Sequence, residues 1–209
     1  MSADLRGRIV DFEKLILFTD STEPGKRARM QFGGRDGNFR ITVFTGTGST
    51  AKEGVIQCPL DPMSFDSFLT LFESIIRGES GSKSKITAKT LVYENDKPTD
   101  QMKVMSELWF GKNAEGIVWI ALSAPSYPKL TFEFRGSRFA EFYQKDGTPL
   151  SDQDLSKLTA GSFVRVLRDT MPAYIMALSA QPRVAGGAAG VPSKPAAKLN
   201  NDTFEDLSY

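Results

Sequence analysis

The chain contains no histidine. Without imidazole there is no Ser-His-Asp or Cys-His nucleophile, no His-ligated zinc or non-haem iron, and no neutral-pH proton shuttle of the usual kind. Cysteine is nearly absent too, and Cys58 alone makes neither an intrachain disulfide nor a cysteine-rich zinc site. No apolar run approaches the roughly 18 residues of a membrane-spanning helix, and residues 1 to 11 mix charged and small residues without a secretory hydrophobic segment. A soluble, cytoplasmic protein with no membrane partner is expected.

Carboxylate, lysine or carboxylate-held magnesium chemistry survives these exclusions, but the sequence does not assemble it. The stretch Gly46 to Lys52 lacks the ending of a P-loop, and no helical pattern starts there to hold a phosphate. Asp152 and Asp154 open a helix, where the helix dipole accounts for them, and Glu205 and Asp206 lie in a polar tail. No catalytic residue, metal or cofactor is therefore expected.

With 209 residues, 40% of them hydrophobic, the chain has material for one folded domain and a tail. The composition changes near Ala180. Residues 1 to 180 read as the domain, residues 181 to 200 as an Ala/Gly/Pro-rich linker with no aromatic side chain, and residues 201 to 209 as an acidic tip. The linker cannot bury enough apolar surface to offset its ordering entropy, and as a coil it reaches about 25 Å. The tip carries Asp202, Glu205 and Asp206 with no base, which leaves 26 bases against 22 acids in residues 1 to 200. A mildly basic body thus ends in an acidic peptide.

Apolar periodicity within the body predicts strands over Ile9 to Phe18, Arg27 to Phe32, Phe39 to Phe44 and Gly54 to Cys58, with a glycine-rich turn from Gly33 to Asn38. A helix with Asp61 as N-cap and Pro62 at its first position, stopped by Gly78, comes next. Strands over Lys85 to Tyr93, Met102 to Phe110, Ile117 to Leu122 and Leu130 to Arg135 follow. A second helix starts at Ser151, with Asp154 in a capping-box place, and Pro172 is expected to kink or divide it. The order is ββββαββββα, an α+β fold of antiparallel sheets.

Alternation within these strands separates a basic face from a core face. Arg27, Arg29 and Gln31 oppose Ala28, Met30 and Phe32; Arg40 and Thr42 oppose Phe39, Ile41 and Val43; Lys85, Thr87 and Lys89 oppose Ile86, Ala88 and Val92. Positive charge on one side of three strands suits a phosphate backbone. A turn from Lys112 to Gly116 would set Trp109 directly opposite Trp119, with Lys103 and Glu107 on their face and Val104, Leu108, Phe110, Val118, Ile120 and Leu122 on the apolar side. Exposed tryptophans are stacking platforms for bases. Phe132 and Phe134 read as core, with Thr131, Glu133 and Arg135 as their solvated side.

The tip interleaves its acids with Phe204 and Leu207 and ends on Tyr209. This arrangement resembles the tails of single-stranded-DNA-binding proteins of bacteria and bacteriophages, in which a basic domain is joined by a Gly/Pro-rich linker to an acidic, hydrophobic tip. The bacterial tip ends in Pro-Phe, whereas this chain ends in Ser208 and Tyr209, closer to the terminal aromatic of phage versions. The resemblance covers the architecture and about the last ten residues. It implies a non-enzymatic protein that coats single-stranded DNA in replication, recombination and repair, forms homo-oligomers, and recruits partner proteins through Asp202, Phe204, Glu205, Asp206, Leu207 and Tyr209. A viral source would place it in the host cytoplasm. The element order resembles the Whirly and transcriptional-coactivator superfamily; an OB-fold barrel with additions is the alternative scaffold. A recombination mediator or strand-annealing protein is the alternative function. Nucleic-acid contacts are expected from Arg27, Arg29, Arg40, Lys85, Lys89, Lys103, Trp109 and Trp119.

Overall fold

The computed structural model of the protein describes residues 17–18, 28–35, 38–45, 54–94, 97–136 and 140–179. Arg27, most of the first expected strand, the linker and the acidic tip lie outside the described residues. Four antiparallel strands come first: β1 (Leu17–Phe18), β2 (Arg29–Arg35), β3 (Asn38–Phe44) and β4 (Val55–Leu60), neighbours in that order. Helix α1 (Pro62–Arg77) follows, then a second antiparallel sheet of β5 (Lys83–Glu94), β6 (Lys97–Lys112), β7 (Val118–Ala124) and β8 (Tyr127–Glu133), and finally α2 (Asp152–Ser179). The fold is α+β with antiparallel sheets, and the described strands form two open sheets with no closed barrel.

Local chemistry explains most boundaries. Gly33 and Gly34 belong to β2 rather than to a turn, because the ladder continues through Gly33↔Arg40 and Gly34↔Phe39 and closes at Arg35↔Asn38. Only residues 36 and 37 are left to connect the strands, an Asp-Gly pair favoured in two-residue hairpins. Pro59 is tolerated in β4 because β4 is an edge strand. Asp61 caps α1 by accepting from the backbone N–H groups of Met63 and Ser64, both at 3.0 Å. At the other end the Gly78 N–H donates to the Ser74 carbonyl at 2.8 Å. Lys112, expected in a turn, is instead the last residue of β6 and is buried. Its ammonium donates to the carbonyls of Ile76 (2.8 Å) and Gly78, so a cation closes the negative end of the helix. Helix α2 starts from Ser151, whose hydroxyl oxygen accepts from the Asp154 N–H at 3.1 Å. It continues through Pro172 and is not divided there.

Both sheets and both helices share one core. The inner faces are Ala28, Met30, Phe32, Phe39, Ile41 and Val43 from the first sheet and Ala88, Leu108, Phe110, Val118, Ile120 and Leu122 from the second, as alternation required. Phenylalanines join the layers. Phe39 stacks on Phe65 of α1 with centroids 4.1 Å apart, Phe72 of α1 meets Phe110 at 5.7 Å and Phe134 at 5.6 Å, and Phe163 of α2 meets Phe134 at 5.1 Å and Phe32 at 4.8 Å. Such pairs contribute about 0.5–1.5 kcal/mol each beyond area burial. Phe132 and Phe134 are fully buried, as expected. Ser106 of β6 ties the sheets by donating to the Gln57 carbonyl of β4 at 2.8 Å. Burial pushes the adjacent Cys58 thiol up to about 11, which leaves it an inert core residue.

Candidate nucleic-acid interface

The register of the second sheet builds its outer face in rows. Lys83, Gly111, Trp119 and Glu133 form one row; Lys85, Trp109, Ala121 and Thr131 the next; Thr87, Glu107 and Ser123 a third. Trp109 therefore stands opposite Ala121, and Trp119 opposite Gly111, so the tryptophans are diagonal neighbours rather than a direct pair. The cause is a turn that starts one residue late. Asn113 closes it by exchanging with Ile117: the Asn113 N–H donates to the Ile117 carbonyl at 3.0 Å, and Asn113 Oδ1 accepts from the Ile117 N–H at 2.8 Å. Gly116 supplies the left-handed backbone that this turn needs, with φ +79°. Because the displacement is by two residues along the ladder, both tryptophans keep their face.

Each indole gains room from the small residue across from it. A Cβ on Gly111 would lie 2.6 Å from Trp119 Cζ2, so the Trp119 ring rests over Gly111. Both tryptophans remain partly exposed. Lys85 Nζ lies 4.7 Å from the Trp109 ring centroid, and Lys129 Nζ lies 5.0 Å from that of Trp109 and 5.3 Å from that of Trp119. Lys129 thus bridges the two rings. Such contacts are worth about 0.5–1 kcal/mol at exposed sites. The expectations did not include Lys129, because β8 begins at Tyr127 rather than at Leu130. Its alternation with Thr131 and Glu133 was the available signal. Lys83, in the Trp119 row, was missed for the same reason at the start of β5.

Lys85 also donates to Glu107 Oε1 at 2.7 Å. This hydrogen bond, aided by the charge of Lys85 and the Trp109 side chain, holds the Glu107 carboxyl below its ordinary range. Glu133 is likewise paired, with Arg135. The face carries Lys83, Lys85, Lys89 and Lys129 against Glu107 and Glu133, a net positive surface with two indoles at its centre.

Lys103 does not join it. Ala88 pairs with Ser106 but Lys89 with Val104, so Met105 is an extra residue that bulges β6. Beyond the bulge the faces exchange. Val104, expected on the apolar side, shares the face of Lys89 and is 41% exposed, while Lys103 pairs with Thr90 on the opposite face. Arg29 and Arg40 lie on the outer face of the first sheet. The Arg29 guanidinium sits 4.4 Å from the Phe44 ring centroid, and Arg40 Nη1 donates to Gln57 Oε1 at 3.1 Å. The expected residues therefore divide between two sheets, with Lys85, Trp109 and Trp119 brought together and Lys89 two rows away.

Among the described residues no group of three or more Cys, Asp or Glu comes together to hold a metal ion, and no helix is long and apolar enough to cross a membrane. No protein-family model matches the chain. No curated protein matches it in sequence. Among solved structures the chain is similar to one from the crystal structures of MRP1/MRP2 of Trypanosoma bruciei, at 9% identity and a TM-score of 0.39, over 76% of this chain and 83% of that one. At that distance the fold and the site rest on this chain's own residues.

Proposed function

We propose that the protein binds single-stranded DNA without catalysis, coats and protects it during replication, recombination and repair, and recruits partner proteins through the acidic tip at residues 201 to 209. The observation that carries this reading is the pair of partly exposed tryptophans, held over small residues and ringed by lysines. An indole offers a π-face to any base, and base stacking on an aromatic is worth about 1–3 kcal/mol per base. The lysines suit phosphates, and an open sheet face admits an unpaired strand whose bases are free to splay. A duplex presents no free base faces to stack. The finer architecture that accords with this function is the Whirly-like one, since four strands and a helix occur twice in the chain; the two open sheets do not favour the OB-fold alternative.

The test is a tryptophan-fluorescence titration with oligo-dT, RNA and duplex DNA over a range of salt. Oligo-dT should quench the fluorescence and bind more tightly than duplex, with affinity falling linearly in the logarithm of salt concentration. Equal binding of duplex and oligo-dT at matched salt, or unquenched fluorescence at saturation, would defeat the reading.

A further inference from the structure

Past Glu107, among the described residues, the second sheet narrows to two strands. β7 pairs with β6 only from Glu107 to Lys112, whereas β5 and β6 remain paired as far as Glu94 and Lys97. Residues 89–94 and 97–104 therefore form a two-stranded arm reaching beyond the part of β6 that β7 covers. Along its β6 side every residue from Lys97 to Val104 is exposed except Thr99, which is half-buried. A two-stranded hairpin by itself is marginally stable in water.

The bulge at Met105 decides what this arm displays. Without it, Val104 would follow Ser106 and Leu108 toward the core. With it, the pairs Lys89↔Val104 and Leu91↔Met102 share one outward face. Met102 is 65% exposed and Val104 41%, with Leu91, half-buried, directly across from Met102. Asp100 follows Met102 toward the tip, within a second register shift that separates the pairs Leu91↔Met102 and Tyr93↔Pro98. From root to tip the arm carries a base, an apolar strip and an acid.

We propose that this arm is a self-association surface, on which Leu91, Met102 and Val104 pack face to face against the same strip of a second copy with the two arms antiparallel. The occupant is indicated by charge order. A two-fold contact places the same patch on both partners. In the antiparallel arrangement Lys89 of each copy meets the end of the strip that holds Asp100 of the other, whereas parallel arms would set lysine against lysine. A nucleic-acid track is less well matched, because the strip has one base and one acid and no described aromatic side chain. The strip lies further out on the same outer face as the tryptophans and shares Lys89 with that surface, so association is measured without nucleic acid.

Sedimentation equilibrium of the full chain at micromolar concentration, without nucleic acid, tests it. The wild type should be dimeric or a higher even oligomer. The double variant Met102→Lys, Val104→Lys changes only exposed side chains, and it should sediment as a monomer, or as half the wild-type assembly, with an unchanged circular dichroism spectrum. Lys89→Glu should weaken association about tenfold, and adding Asp100→Lys to it should restore the affinity to within about twofold, as expected of a charge pair across an interface. A monomeric wild type, or an assembly indifferent to the strip variants, overturns the proposal. A charge swap that fails to restore association overturns the antiparallel arrangement. Should the wild type be monomeric and the strip variants lose oligo-dT affinity, the strip belongs to the nucleic-acid surface instead.

Discussion

Lysine 85 illustrates how one side chain divides its charge. Its ammonium is shared between the Trp109 ring and the Glu107 carboxylate, so less of it is available to a phosphate than its exposure suggests. Removing the acid should release it. Glu107→Gln is expected to strengthen oligo-dT binding at low salt by about 2–5-fold, the scale of a surface ion pair, with the gain fading as salt rises. Weaker binding in this variant would mean that Glu107 itself holds the ligand or positions Trp109. Gly111 makes the complementary point about space. Gly111→Ala forces a methyl group into the Trp119 indole, at a cost of about 1–3 kcal/mol in stability, typical of overpacking. It should also red-shift the tryptophan emission and lower oligo-dT affinity, both read in one fluorescence titration against a urea series.

At the scale of elements, α1 depends on its ends. Asp61 binds two backbone N–H groups and the Ser64 hydroxyl, and the Ser64 contacts hold its carboxyl below the ordinary aspartate range. Replacing such a cap by alanine costs about 0.5–2 kcal/mol. Because the folded-state value is lowered, the stabilisation is fully present above the ordinary aspartate range and is lost as pH falls through the lowered value. Urea midpoints of the wild type and Asp61→Ala should therefore differ at neutral pH and converge in strong acid. A difference that does not change with pH would show that the charge is not what caps the helix. The bulge at Met105 is the corresponding device in the sheet. One extra residue keeps Ser106, Leu108 and Phe110 in the core while turning Val104 outward and Lys103 away from the tryptophans.

The molecule as a whole is held by an aromatic chain that joins both sheets and both helices. Phe72 touches Phe68, Phe110 and Phe134, so it links α1 to the second sheet and to the segment leading into α2. Phe72→Ala is expected to cost about 3–5 kcal/mol, the range for truncating a buried phenylalanine, with a single cooperative unfolding transition lowered as a unit. Separate transitions for the two sheets would show that the core is not shared. The same core aims the outer faces. By taking one side of every strand, it leaves the other for arginine on the first sheet and for lysine and tryptophan on the second.

Period and punctuation in the sequence determined the element order, the ends of α1, the start of α2 and the inner face of most strands, because a wrong face would bury arginine or expose phenylalanine. They also placed Trp109, Trp119, Lys85 and Lys89 on one side of their strands. Strand ends were not legible, which is why Lys83 and Lys129 were missed: where a strand begins depends on how far its neighbour can pair with it. Register and bulges were not legible either. The offset that puts each tryptophan over a small residue comes from the closure of the Asn113 to Ile117 turn, and the exchange of Val104 for Lys103 comes from one unpaired residue. Such features are settled by hydrogen bonds, within a turn at the first site and between two strands at the second, and only the folded chain forms them; alternation along a single strand carries no record of them.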